Sequence, residues 1–145
     1  MDASEIEALW GDHLDGEFAS KDVEATLATM VDDASVIHVP TGTGGRGKAE
    51  LRRFYRDDFI PTWPDDLIMT PVNRIVGSHG LVDELHLEFT HLREMPWLLP
   101  GVAPTGRRIA MDVVAVIQFR DGLLVSERIY WDHAAVLRQV GADLG

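Results

Sequence analysis

The chain has 145 residues, enough for one ordinary domain with its own hydrophobic core, and we expect a single domain over 1–145. Its 46% apolar and 26% charged residues are those of a globular protein, and its formal charge of −11 argues against nucleic acid, an anionic membrane surface and highly anionic substrates. With no cysteine there is no disulfide, thiolate–zinc site or thiol nucleophile, which fits a cytoplasmic location; the acidic start Met1-Asp2-Ala3-Ser4-Glu5 is no signal peptide, and no apolar run is long enough to span a bilayer.

In chain order, Ile6, Leu9, Trp10, His13, Leu14 and Phe18 follow the spacing of an amphipathic helix, with Ser4 and Glu7 as a capping box. A second short helix is expected from Asp22 to Val31, and a strand from Ala34 to Val39 stopped by Pro40. Gly42-Thr43-Gly44-Gly45-Arg46-Gly47 matches G-x-G-x-x-G. Two helices precede it, however, and the later strands are joined by hairpins rather than crossover helices, so it reads as a reversing turn and not a dinucleotide site. Lys48 to Phe59 is the third helix, closed by Pro61 and Pro64. Four strands follow: Leu67 to Val76, Leu81 to Leu92, Arg108 to Phe119 and Leu123 to Trp131. Hairpin signals at Gly77-Ser78-His79-Gly80 and Arg120-Asp121-Gly122 make the sheet largely antiparallel, and a proline-rich loop spans Pro96 to Gly106. A last helix runs from Asp132 to Val140. Helices covering one face of such a sheet give an α+β fold.

Strand alternation sorts the polar residues. Leu85, Leu87, Phe89 and His91 share an inward face, and His86, Glu84, Glu88 and Thr90 the other. On the next strand Ile109, Met111, Val113, Ala115, Ile117 and Phe119 point inward, and Asp112 outward beside Val114 and Val116. An outer face carrying those valines is expected to bury itself against a second copy, giving a homodimer. Alternation leaves Glu127 open, because the two faces of its strand are alike; an inward Glu127 must be neutral or paired. The six histidines form no H-E-x-x-H and no other metal pattern, so neither metal nor cofactor is expected, and no G-x-S-x-G supplies a nucleophile.

The junction Tyr130-Trp131-Asp132-His133 places a carboxylate where an apolar strand meets a helix. Asp132 is either the helix N-cap or a general acid/base at the rim of an apolar pocket, and one residue can serve as both. The element order, with Trp131, Asp132, Leu137, Gln139 and Gly141, resembles the SnoaL-like branch of the nuclear transport factor 2-like (NTF2-like) superfamily. The resemblance implies a cone: a curved, mostly antiparallel sheet wrapped around N-terminal helices, barrel-like, with an apolar pocket. It also implies that Asp132 is a general acid/base, as in SnoaL-like cyclases. The related limonene epoxide hydrolases use an Asp-Arg-Asp set, and Leu85 to His91 has no Arg-x-Asp.

The expected function is cofactor-independent acid/base chemistry (cyclase, isomerase, dehydratase or hydrolase type) on a small apolar carbonyl compound or lactone. Asp132, His91 and His38 are the candidate catalytic residues, and Tyr55, Tyr130, Trp131, Trp10, Phe59, Trp97 and Phe89 the candidate substrate contacts. The alternative is a non-catalytic ligand-binding or dimerisation module. Trp97-Leu98-Leu99, an apolar tripeptide in a long loop, is either a lid or a dimer contact.

Overall fold

A computed structural model describes residues 1–142. Asp2, not Ser4, opens helix α1 (Ala3–Leu14): its carboxylate accepts from the Glu5 amide while Glu5 reaches back, so the capping box lies two residues earlier than expected. The helix runs directly into a π-helical turn, Asp15–Ala19, closed by the bond from the Ser20 amide to the Asp15 carbonyl. This widened turn keeps Glu17 buried rather than releasing the chain at Gly16. Helix α2 (Val23–Ala28) follows, capped by Asp22, and then strand β1 (Met30–His38).

The glycine run is more than a turn. After the reversal at Thr41–Gly42, strand β2 (Thr43–Arg46) pairs antiparallel with β1. Gly44 has φ of 137°, and a Cβ there would lie 2.0 Å from the Val36 carbonyl oxygen, so only glycine lets the two backbones meet. Helix α3 (Gly47–Arg53) passes into a second π-helical segment, Phe54–Phe59, and a 3₁₀ turn, Ile60–Thr62, that together bury Phe54, Tyr55, Phe59 and Ile60.

Strands β3 (Ile68–Val76), β4 (Gly80–Thr90), β5 (Arg108–Arg120) and β6 (Leu123–Trp131) and helix α4 (His133–Val140) complete the chain. The six-stranded sheet has the order β2-β1-β6-β5-β4-β3, and only the β1–β6 contact is parallel. It is a curved, open sheet, not a closed barrel. Pro71 is tolerated because β3 is an edge strand and bulges between Pro71 and Asn73. The α+β architecture agrees with the sequence reading; the added strand is β2.

The inward faces of β4 and β5 are those that alternation gives, with Leu85, Leu87, Phe89, Ile109, Met111, Val113, Ala115, Ile117 and Phe119 all buried. Strand β6 departs from strict alternation. Gln118 pairs with Ser126 and Phe119 with Leu124, so Val125 is looped out. That bulge lets Leu124 and Glu127 both point inward, which no uninterrupted two-residue period allows.

Candidate active site

The interior is not packed solid. A cavity of about 50 Å³ lies between α1 and the sheet, walled by Trp10, Phe18, Phe59, Trp63, Trp97, Met69, Leu85, Leu87, Val113 and Ile129. Three ionisable side chains also line it: Glu17, Glu127 and His38. The volume is about a third of the ~150 Å³ that holds benzene in an engineered cavity. It therefore takes about two heavy atoms as it stands, and a larger ligand must displace an aromatic wall.

Glu127 and Glu17 meet His13 at one end of this space. His13 Nε2 lies 2.5 Å from Glu17 Oε1 and 3.8 Å from Glu127 Oε2, and all three side chains are within a few per cent of full burial. His13 Nδ1 is 2.8 Å from the Thr29 hydroxyl, which itself donates to the Thr26 carbonyl at 2.6 Å. With its proton committed there, Thr29 accepts from His13, so Nδ1 carries a proton and Nε2 is the atom offered to the carboxylates. Trp10 stacks on the imidazole at 5.5 Å and is held in turn by its Nε1–H bond to buried Asp83, which Arg74 grips with two nitrogens.

Burial has opposite consequences for these groups. It opposes the charge on His13, but the Glu17 and Glu127 carboxylates outweigh it and leave the imidazole pKa raised. Burial, reinforced by the like charge of Glu17 and only partly offset by His13, lifts Glu127 to about 8. His13 and the Glu17 carboxylate are thus in direct contact beside a Glu127 that keeps its proton at neutral pH. The Tyr55 hydroxyl, buried and without a hydrogen-bond partner among the described residues, is pushed up by the same burial and the same two carboxylates.

His38 reaches the cavity from the end of β1. Its ring is surrounded by Phe54, Phe59, Trp97 and Trp131 at centroid distances of 5.0 to 5.6 Å. With no carboxylate to hold a proton there, burial lowers its pKa to about 3, so it is a neutral imidazole.

Of the expected catalytic residues, His38 alone lines the cavity. Asp132 is the N-cap of α4: it is exposed, and its Oδ1 accepts from the Ala135 amide at 3.0 Å. It borders a second concavity, of about 390 Å³, with His86, Asp112 and Tyr130, separate from the space between α1 and the sheet. His91 is fully buried but serves the loop. Its Nδ1 accepts from the Thr105 amide, and its backbone bonds to Gly106 and Arg107 cinch the neck of the segment 92–106. Among the expected substrate contacts, Trp10, Phe59 and Trp97 form cavity wall. Tyr55 packs edge-on against His13, Phe89 stands behind Trp63, and Trp131 packs on His38 and Trp97. Tyr130 is on the outer face, where it accepts from Arg128.

The other junction residues also have structural work. The Gln139 amide bonds both backbone groups of Ala110, tying α4 to β5, and Gly141 closes α4 at φ of 72°. His13 and Glu17 are the pair that sequence reasoning passed over. The available signal was a histidine on an otherwise apolar stripe with a carboxylate four residues on.

A SnoaL-like domain model matches residues 11–127. No curated protein matches the sequence. Among solved structures, TsrD from Streptomyces laurentii is similar at a TM-score of 0.76 and 18% identity, covering 99% of each chain. A protein from Jannaschia sp. CCS1 named as a SnoaL-like polyketide cyclase gives 0.74 and 21%, again over 99% of each chain. An NTF2-like protein of unknown function from Burkholderia pseudomallei gives 0.71 and 22%, over 98% of this chain and all of that one. At these identities the likeness speaks for the fold.

Proposed function

Since the chain belongs to the SnoaL-like domain family, we propose that it is a cofactor-independent enzyme doing acid/base chemistry on a small, largely apolar carbonyl compound in the internal cavity. The observation that carries this reading is the convergence of Glu127, Glu17 and His38 on one apolar space. Glu127, protonated at neutral pH, gives a proton, and the Glu17–His13 pair beside it takes one, so the two halves of an enolisation are handled by neighbouring groups on one apolar space. His38, held neutral, donates its N–H to a carbonyl oxygen and to the enolate that forms from it, without first having to lose a charge. The apolar walls keep water from competing and strengthen each of these interactions. This assigns the proton chemistry to Glu127 in place of Asp132. Whether the net reaction is a cyclisation, isomerisation, dehydration or hydrolysis depends on the substrate.

We further place the protein in the cytoplasm as a homodimer, joined through the outer sheet face, where Ile68, Ile75, Val116 and Tyr130 stand exposed. No described helix is long and apolar enough to cross a membrane.

The test uses acetone or cyclopentanone as the probe and follows loss of the α-proton signals in D₂O by NMR. The intact protein is expected to accelerate exchange, Glu127→Gln to lose about 10²-fold or more of that acceleration, and Asp132→Asn, which keeps a good N-cap, to change it by less than about twofold. No acceleration by the wild type, or a loss confined to Asp132→Asn, overturns the proposal.

A further inference from the structure

Three fully buried donor atoms meet at the end of the cavity: His13 Nε2, Glu17 Oε1 and Glu127 Oε2. Nε2 and Oε1 are in contact, while Glu127 Oε2, 3.8 Å from Nε2, has no hydrogen-bond partner among the described residues. A buried polar atom left without a partner costs kilocalories, so its convergence on a histidine–carboxylate pair marks a position that a further group completes. Among the described residues, His13, Glu17 and Glu127 are the one set of three histidine or carboxylate donors drawn within 4.8 Å of one another.

We propose that His13, Glu17 and Glu127 bind one divalent first-row transition-metal ion at the inner end of the cavity. Bonds of about 2.0–2.2 Å to nitrogen and oxygen set neighbouring donors roughly 3.0 to 3.4 Å apart. The present separations of 2.5 and 3.8 Å lie on either side of that range, so modest rotations of the two glutamates suffice. The imidazole is already oriented for the task. Its Nδ1–H is spent on Thr29, whose hydroxyl is spent on the Thr26 carbonyl, and this is the outer-shell support that fixes the tautomer of a ligating histidine and turns Nε2 toward an ion. Two carboxylates and a divalent ion sum to zero charge, the combination least costly to bury.

The donor set selects among ions. One imidazole and two carboxylates suit manganese, iron, cobalt and zinc; calcium asks for six to eight oxygens, and magnesium keeps its waters. Only three protein ligands are supplied, so the remaining positions open on the cavity, as in catalytic rather than structural sites. Glu17 reaches the site from the π-helical turn at the end of α1, a distortion often found at functional positions. Ion binding and the acid/base role of Glu127 are alternative uses of the same side chains, because a ligating Glu127 has given up its proton; metal-free protein in the ketone exchange test decides the acid/base reading, a cobalt titration decides the ion, and each can fail alone.

The experiment titrates Co²⁺ into chelator-treated, full-length protein and follows the visible absorption bands of the protein-bound ion. Saturation at one equivalent is expected, with zinc displacing cobalt and manganese binding more weakly than either. His13→Gln and Glu127→Gln should each weaken binding by about tenfold or more, while His86→Gln, on the outer face beside Asp112, should not change it. Absence of the bands, or binding that survives both cavity substitutions and falls with His86→Gln, overturns the proposal. If the cavity variants do not fold, anomalous scattering from wild-type crystals grown with Co²⁺ decides the matter. A peak between His13, Glu17 and Glu127 supports the site, and peaks only on the outer surface contradict it.

Discussion

Glu127→Gln will gain stability relative to the wild type as pH rises, by up to about 5 kcal/mol between pH 4.5 and pH 8. In the folded protein Glu127 holds its proton to about 8, whereas in the unfolded chain it releases it near 4.5. Between those values the unfolded state binds one proton fewer, so wild-type stability falls with pH at up to about 1.4 kcal/mol per unit from this group alone. Glutamine keeps the shape and removes that slope. His38 works in the opposite direction: folded it stays neutral down to about 3, unfolded it protonates below 6.5, so its contribution is lost as pH falls. Between 4.5 and 6.5 the two oppose each other. Outside that window Glu127 lowers wild-type stability toward pH 8 and His38 lowers it toward pH 3, by about 2 kcal/mol each. His13, raised as well, adds to the alkaline decline. Glu127→Gln should shrink the alkaline limb and His38→Phe the acid limb. Urea unfolding at a series of pH values measures both, and identical slopes in variant and wild type would contradict the assignment.

Trp97→Ala will cost about 3–5 kcal/mol, although Trp97 lies in a loop. The side chain is 2% exposed and packs with ring centroids 5.0 to 5.6 Å from His38, Phe59, Trp63 and Trp131. Its Nε1–H bonds the Thr62 hydroxyl, and its carbonyl accepts from Thr41 and Thr43 across the β1–β2 turn. The tripeptide read from sequence as lid or dimer contact is a wall of the cavity, with Leu98 and Leu99 fully buried behind it. Alanine there enlarges an apolar void, and such voids take up small apolar molecules. The variant should therefore be stabilised by benzene more than the wild type is. It should also let water reach His38, raising its pKa from about 3 toward the ordinary histidine range. Leu92→Ala in the same loop, 58% exposed, should shift stability by no more than about 0.5 kcal/mol. A cost for Trp97→Ala as small as that would show that the loop does not close the core.

The architecture was legible because its signals are local. Two-residue alternation gave the inward faces of β4 and β5, and hairpin turns gave their order. The site was less legible, for three physical reasons. The bulge at Val125 shifts the phase of β6, so a strict period cannot place Leu124 and Glu127 on one face although both are buried. The π-helical turn extends α1 past Gly16, where helical spacing weakens, and that extension brings Glu17 to His13. Lastly, the junction residues each hold the fold: Asp132 caps α4, Gln139 clamps β5 and Gly141 ends the helix. A carboxylate at a strand-to-helix junction has the same spelling whether it caps the helix or faces a cavity, and the direction of its side chain is settled by packing alone.

The β6 bulge turns Glu127 into the greasy interior, where burial keeps it protonated at neutral pH. Titration of the Glu127 side-chain carboxyl carbon by NMR in the intact protein tests this most directly. A midpoint near 8 is the expected result. A midpoint near 4.5, the value of a solvated glutamate, would contradict it and remove Glu127 from the proton chemistry.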